Sequence, residues 1–196
     1  QSDRSDAYEL LIEQLRNNHH TYYCPCSRKN LLENRGSHRA DCDPATRSDT
    51  IPMAIKFHTE DHLYSWHDLL LGPQSYSAQK QTDDFVIKRK EGFYAYHLAA
   101  VCDDIDQRIS HIIRGSDLLD STPPQLALYK ALTNPPPQFG HIPVILNSHG
   151  QKLSKQNLAP AINNQQASQN IQQALAILNL PVPPTLHNAP AVEIIH

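Results

Sequence analysis

Between Asp103 and Lys155 the chain reads DDIDQRISHIIRGSDLLDSTPPQLALYKALTNPPPQFGHIPVILNSHGQKLSK. A polar segment runs into Ile112 and Ile113, a helix signal follows, and an apolar run then breaks at Asn147 to deliver Lys152 and Lys155 from a loop. Ligand groups sit where buried strands end and loops begin, so this order predicts part of an α/β domain with a site at its loop edge. Thr122 is placed as an N-cap, Pro123 falls at the first helical position, and Gln125 completes capping-box spacing. Leu126, Tyr129 and Ala131 or Leu132 then form an apolar stripe that needs a sheet to cover.

The β-branched run from Ile142 to Leu146 reads as a short buried strand, and Asn147 to Gly150 as the turn that ends it. Lys152 and Lys155 flank Ser154 just beyond. Flexible ammonium groups in such a loop suit the spread charge of a triphosphate; a solvated turn with two surface lysines is the other reading.

Upstream, Asp6 and Glu9 have capping-box spacing, and Tyr8, Leu11, Ile12 and Leu15 give an amphipathic helix ending near Asn17 and Asn18. Cys24, Cys26, His38 and Cys42 bracket a segment with few core-forming residues. Three thiolates and one imidazole make a soft tetrahedral set suited to structural zinc, with no open position for catalysis. Reduced cysteines without metal, or a disulfide between two of them, are the alternatives.

Met53 to Phe57, Leu63 to Trp66 and Phe85 to Ile87 are strand candidates, while Leu69 to Leu71 reads as a short element stopped by Gly72 and Pro73. A further strand from Phe93 would place Tyr94 and Tyr96 on one face, either presenting a hydroxyl or packing at a core edge. Cys102, in an apolar run, reads as a buried structural thiol. Asp103 and Asp104 read as positioning or capping carboxylates, and Arg114 either as a functional cation or as a partner for Asp117 beyond a turn at Gly115. Near the end, Ile171, Ala174, Leu175 and Leu178 form one more amphipathic helix.

The 196 residues suit one moderate domain, and the net charge of −3, from 17 Lys plus Arg against 20 Asp plus Glu, argues against bulk electrostatic binding of nucleic acid. Any RNA contact requires basic groups gathered locally or supplied by sequence outside this chain. No apolar run reaches membrane length and no export signal is evident, so the cytoplasm is expected.

The Lys152 to Gln156 run, KLSKQ, resembles the lysine-rich signature loop of class I aminoacyl-tRNA synthetases. FYAYH from Phe93, VCDD from Val101, HIIRGSD from His111, STP from Ser121 and HIP from His141 resemble, in order and spacing, the catalytic core of glutamyl-type members. The resemblance covers roughly Gln1 to Pro160 and implies a Rossmann-like class I catalytic domain, present in part, with a small zinc-binding insertion. It divides the chain into a core helix (1–20), the insertion (21–50), the C-terminal part of the catalytic domain (51–160) and a helical, Pro-rich tail (161–196).

It further implies that Tyr96 and Arg114 contact substrate glutamate, that Lys152 and Lys155 bind ATP with Lys155 acting in catalysis, and that Mg²⁺ accompanies ATP. The cysteine pattern is similar to that of the short glutamyl-Q type, which attaches glutamate to the queuosine base of tRNA(Asp) and carries a Tyr where this chain has His38. Expected partners are therefore L-glutamate, ATP and queuosine-containing tRNA(Asp), with a monomeric protein. The Gly-rich or His-containing nucleotide loop of the family has no match here, so the chain is expected to be a fragment that is inactive alone. A piece of an ordinary glutamyl-type enzyme and a zinc-stapled, non-catalytic RNA-binding module remain alternatives.

Overall fold

The computed structural model describes residues 3–26, 29, 51–79, 84–147, 149–154, 159, 161–187 and 189–195. These form two compact units, the first comprising Gln1–Ile112 with Leu118–Gly140, and the second Ile113–Asp117 with His141–His196.

In the first unit, α1 (Ser5–Asn17) buries Tyr8, Ile12 and Leu15, whose spacing puts them on one helical face. The capping box expected of Asp6 and Glu9 does not form: Arg4 precedes the helix without a side-chain cap, and Glu9 instead accepts from Tyr94 Oη at 2.6 Å and from Lys88. An ammonium and a phenol outcompete a backbone N–H that water can satisfy. β1 (Thr21–Cys24), β2 (Ala54–Phe57) and β5 (Phe85–Lys88) make a three-stranded antiparallel sheet with β2 in the middle. Phe57 and Phe85 stack across it with ring centres 5.1 Å apart.

β3 (His62–Asp68) and β4 (Gly72–Ala78) form a hairpin. Leu69 to Leu71 are its exposed connection, not an element, and Gly72 with Pro73 starts a strand where a stop was expected. The fully buried Asp68 decides this by accepting the N–H groups of Leu70 and Leu71 at 3.1 and 3.0 Å, while Gly72 adopts φ +73°.

α2 (Tyr96–Asp106) and α3 (Thr122–Ala131) pack against this framework. Leu98, Val101 and Cys102 come from the first, Leu126, Leu128 and Tyr129 from the second, and Ile87 and Phe139 from strands; together they form one core. Thr122 is not the expected N-cap: a 3-10 turn over Ser116–Ser121 runs straight into α3, so Thr122 is already helical and buried. The expected stripe widens into burial on nearly every side of this helix.

β6 (His111–Gly115) pairs with β7 (Gln138–Ile142). The strand thus lies earlier than the apolar run from Ile142 to Leu146, where Ile145 and Leu146 are about half exposed at 49% and 53%. Pro143 interrupts that run and has no N–H for a ladder, whereas Phe139, Gly140 and His141 are buried. In the second unit α4 (Ala167–Ile177) and the short α5 (Ala191–Ile195) lie beyond. No helix of the described residues is long and apolar enough to cross a membrane.

Candidate functional site

Tyr96 begins α2 and does not continue a strand with Tyr94. Tyr94 forms an isolated bridge with Lys88, and Ala95, extended, turns the chain into the helix with its N–H on the Ile87 carbonyl. The two phenols consequently have different fates. Tyr94 bonds Glu9 and the Ser5 carbonyl, and burial, reinforced by the Glu9 carboxylate, pushes its pKa up to about 12. Tyr96 keeps 49% of its surface exposed, its ring 5.5 Å from that of His97.

Asp103 and Asp104 are structural. Asp103 receives Arg4 Nε at 2.6 Å and Tyr8 Oη at 3.0 Å, joining α1 to α2, and Asp104 receives Tyr129 Oη at 3.4 Å from α3. Cys102 is a buried thiol whose pKa burial raises, the opposite of what nucleophilic activation requires.

In the second unit Arg114 donates its Nε–H to Nε2 of His141 at 3.0 Å, with His141 fully buried. Asp117 pairs with Lys152, at 2.5 Å, and not with Arg114. The hydrogen bond from Lys152 holds the Asp117 carboxyl below its usual range. Gly115 serves close approach, not a turn: a Cβ there would lie 2.4 Å from Asp117 Oδ1 and 3.1 Å from Val144 Cγ1. The loop that carries Lys152 is built by Asn147, whose Oδ1 accepts from the N–H groups of His149 and Gln151 at 2.9 Å each. Gly150 turns it at φ +73°, and Leu146 bridges back to Lys152. The expected turn is therefore present. Lys155 lies outside the described residues.

Cys24 ends β1 and Cys26 follows two residues on, both buried, at 2% and 8% exposure, in a cluster with Tyr22. Lys90 Nζ donates to the Pro25 carbonyl between them at 2.5 Å. His38 and Cys42 lie outside the described residues, and among those described no group of three or more His, Cys, Asp or Glu is placed to hold a metal. The two thiols fit half of a soft tetrahedral set.

Residue reading alone missed His141 as a partner of Arg114, because 27 residues separate them and only the pairing of β6 with β7 brings them together. A His before Ile142 and Pro143 carried no signal of that contact.

Residues 45–182 match the family model described as tRNA synthetases class I (E and Q), catalytic domain. The chain belongs to this family. It is 40% identical over 184 residues to the glutamyl-Q tRNA(Asp) synthetase of Acinetobacter baylyi, and 35% identical over 196 residues to that of Vibrio vulnificus strain CMCP6. These alignments cover 92% and 100% of this chain but 61% and 64% of the relatives, so the chain spans about three fifths of their length. The enzyme of that name from Idiomarina loihiensis is 36% identical over 195 residues, with 69% of its length covered. Among solved structures, the glutamate-tRNA synthetase of Elizabethkingia anophelis is similar with a TM-score of 0.63 at 26% identity, over 80% of this chain and 36% of that one. The mixed α/β fold is thus that of a class I synthetase catalytic domain, present in part.

Proposed function

We propose that the full-length protein activates L-glutamate with ATP and transfers it to the queuosine base of tRNA(Asp). The observation that carries this is similarity along the whole chain, at 35 and 36% identity, to synthetases named for glutamyl-Q tRNA(Asp). In the first step a glutamate α-carboxylate oxygen attacks the α-phosphorus of ATP, pyrophosphate leaves, and glutamyl-adenylate forms. In the second, a hydroxyl of the queuosine ring attacks the activated carbonyl, gives up its proton, and AMP leaves.

The α-carboxylate must stay reactive, so a bidentate arginine on it would oppose the first step. Arg114 accordingly takes the side-chain carboxylate, and the hydroxyl of the half-exposed Tyr96 supplies an orienting bond. Because Nε of Arg114 is engaged by His141, bidentate contact runs through Nη1 and Nη2. Lys152 and Lys155 contribute point charges to the phosphates, which Mg²⁺ accompanies; the Lys152 ammonium, paired with Asp117, carries three N–H donors and can meet a carboxylate and a phosphate oxygen together.

Cys24, Cys26, His38 and Cys42 would hold a structural zinc that ties the ends of the segment between them, with no chemical step of its own. Burial of Cys24 and Cys26 in one cluster supports this. The local cations that RNA requires on a chain of net charge −3 include Arg16, Lys88, Arg89 and Lys90 around one open cavity of about 550 Å³, shared with Glu9 and Glu13. ATP and tRNA place this activity in the cytoplasm.

The test is glutamate-dependent ATP–pyrophosphate exchange by the full-length protein, followed by transfer of labelled glutamate to tRNA(Asp) with and without queuosine. Label is expected only on the modified tRNA. Label on the 3′-terminal adenosine would assign the protein to ordinary glutamyl-tRNA synthetases, and RNA binding without exchange would make it a non-catalytic module.

A further inference from the structure

Most polar clusters of this chain have a structural account. Asp103 joins two helices, Asp68 closes a hairpin, and Glu9 ties α1 to β5 and Tyr94. The pairing of Arg114 with His141 is not needed to join its two strands, since β6 and β7 are already held by their backbones. An imidazole at 0% exposure set against a guanidinium is a costly arrangement to keep for stability alone.

We infer that His141 is a positioning residue for substrate recognition: it holds the guanidinium of Arg114 through Nε so that the substrate carboxylate is met end-on by Nη1 and Nη2. This rests on the reading of Arg114 as the glutamate partner. The bond is donated by Arg114, so Nε2 of His141 carries a lone pair and the imidazole proton resides on Nδ1. The acceptor is therefore neutral. That matters because an orienting carboxylate at position 141 would fix the guanidinium equally well but would also neutralise it, weakening the attraction for an anionic substrate. A neutral acceptor fixes direction without itself cancelling the charge.

Asp117 shows the same separation of roles. It lies three residues beyond Arg114, yet its carboxylate is taken by Lys152 at 2.5 Å, an arrangement that the absence of a side chain on Gly115 permits. Nε of the arginine thus meets an imidazole nitrogen, and the lysine ammonium a carboxylate. With Nε held at 3.0 Å, rotation of the guanidinium plane is restricted before substrate arrives, which lowers the ordering cost of binding.

Two polar substitutions of similar character separate position from polarity. In His141→Gln the amide oxygen can reach roughly where Nε2 lies; in His141→Asn it falls short, near the place of Nδ1. In the full-length protein, His141→Asn is expected to raise the KM for glutamate about tenfold while the KM for ATP changes less than about twofold, and His141→Gln is expected to stay within about threefold of the parent for both. His141→Glu keeps an acceptor but adds charge, and is expected to lose glutamate binding at least as severely as His141→Asn.

A second readout does not depend on glutamate. In ¹⁵N-arginine-labelled protein the Nε–H signal of Arg114, assigned by its loss in Arg114→Lys, is expected to exchange slowly in the parent and His141→Gln and rapidly in His141→Asn. Equal exchange in all three proteins would overturn the positioning role. So would equal glutamate KM values for His141→Asn and His141→Gln when Arg114→Lys itself impairs glutamate binding. If Arg114→Lys leaves the glutamate KM unchanged, the reading of Arg114 as glutamate partner fails and substrate positioning by His141 is overturned with it, even where the exchange pattern shows that the bond exists.

Discussion

Arg114 and Glu9 show how differently two charged residues are used in one chain. Arg114 donates to a neutral imidazole, whereas Glu9 is committed to Lys88 and Tyr94. Arg114→Ala in the full-length protein is expected to raise the KM for glutamate by about 10- to 100-fold, the loss of hydrogen bonds to a charged group, with the KM for ATP within about threefold. Steady-state pyrophosphate exchange measures both, and equal losses would indicate a damaged fold. For Glu9, burial pushes the pKa up, but hydrogen bonds from Lys88 and Tyr94 leave it lowered overall. A carboxyl lowered in the folded state stabilises above the ordinary carboxylate range and ceases to do so as pH falls through its lowered pKa. Its side chain is 47% exposed, so screening limits the effect. Glu9→Gln is expected to lose about 0.5–1 kcal/mol in urea unfolding at pH 7, with the difference from the parent closing below about pH 4. Persistence of the difference at low pH would assign it to the Tyr94 hydrogen bond alone.

At the scale of elements, four helices end in the same way without glycine. His19, Arg108, Thr133 and Asn179 adopt φ of 59, 55, 52 and 56°, and the N–H of the next residue returns to the carbonyl five positions before it, as from His20 to Leu15 and Asn134 to Tyr129. Asn179 and His19 are of types enriched in this region, and the β-branched Thr133 is the least suited. Thr133→Gly is expected to stabilise by about 0.5–1 kcal/mol, raising Tm by about 1–4 °C, relief of the left-handed conformation exceeding the loss of the Thr133 hydroxyl bond to the Leu132 carbonyl. A lower Tm would mean that this hydroxyl bond or unfolded-state entropy dominates. These endings illustrate why boundaries were harder to read than elements. Apolar spacing located α1 and α3, but both capping boxes were misassigned: Glu9 found an ion pair, and Thr122 continued from a 3-10 turn. β7 was misplaced because the apolar run carries Pro143, while the strand that forms contains Gln138, Gly140 and His141.

At the scale of the whole chain, the core lies in the first unit and the Arg114, Asp117 and Lys152 interactions in the second. Zinc provides the test at this scale, because Cys24 and Cys26 are buried at the edge of the first sheet and the remaining proposed ligands follow in sequence. The full-length protein purified without chelator is expected to contain about one zinc per chain, and Cys24→Ser to lose most of it. Chelation is expected to increase amide exchange near Cys24 and Cys26 before it reaches the core helices. Metal analysis at trace level would remove the proposal.

Residue order alone determined the mixed α/β class, the positions of α1, α3, α4, β2, β3 and β5, the turn at Asn147 and the family, because apolar periodicity, turn chemistry and ordered motifs are local properties of the chain. Tertiary structure decided which charges meet. Asp117 stood beside Arg114 in sequence and paired with Lys152; His141, 27 residues from Arg114, became its partner; and Tyr94 was consumed by Glu9 while Tyr96 stayed exposed. Polar side chains choose partners across strands and helices by distance and desolvation in the folded chain, and neither quantity is written in the spacing of residues along it.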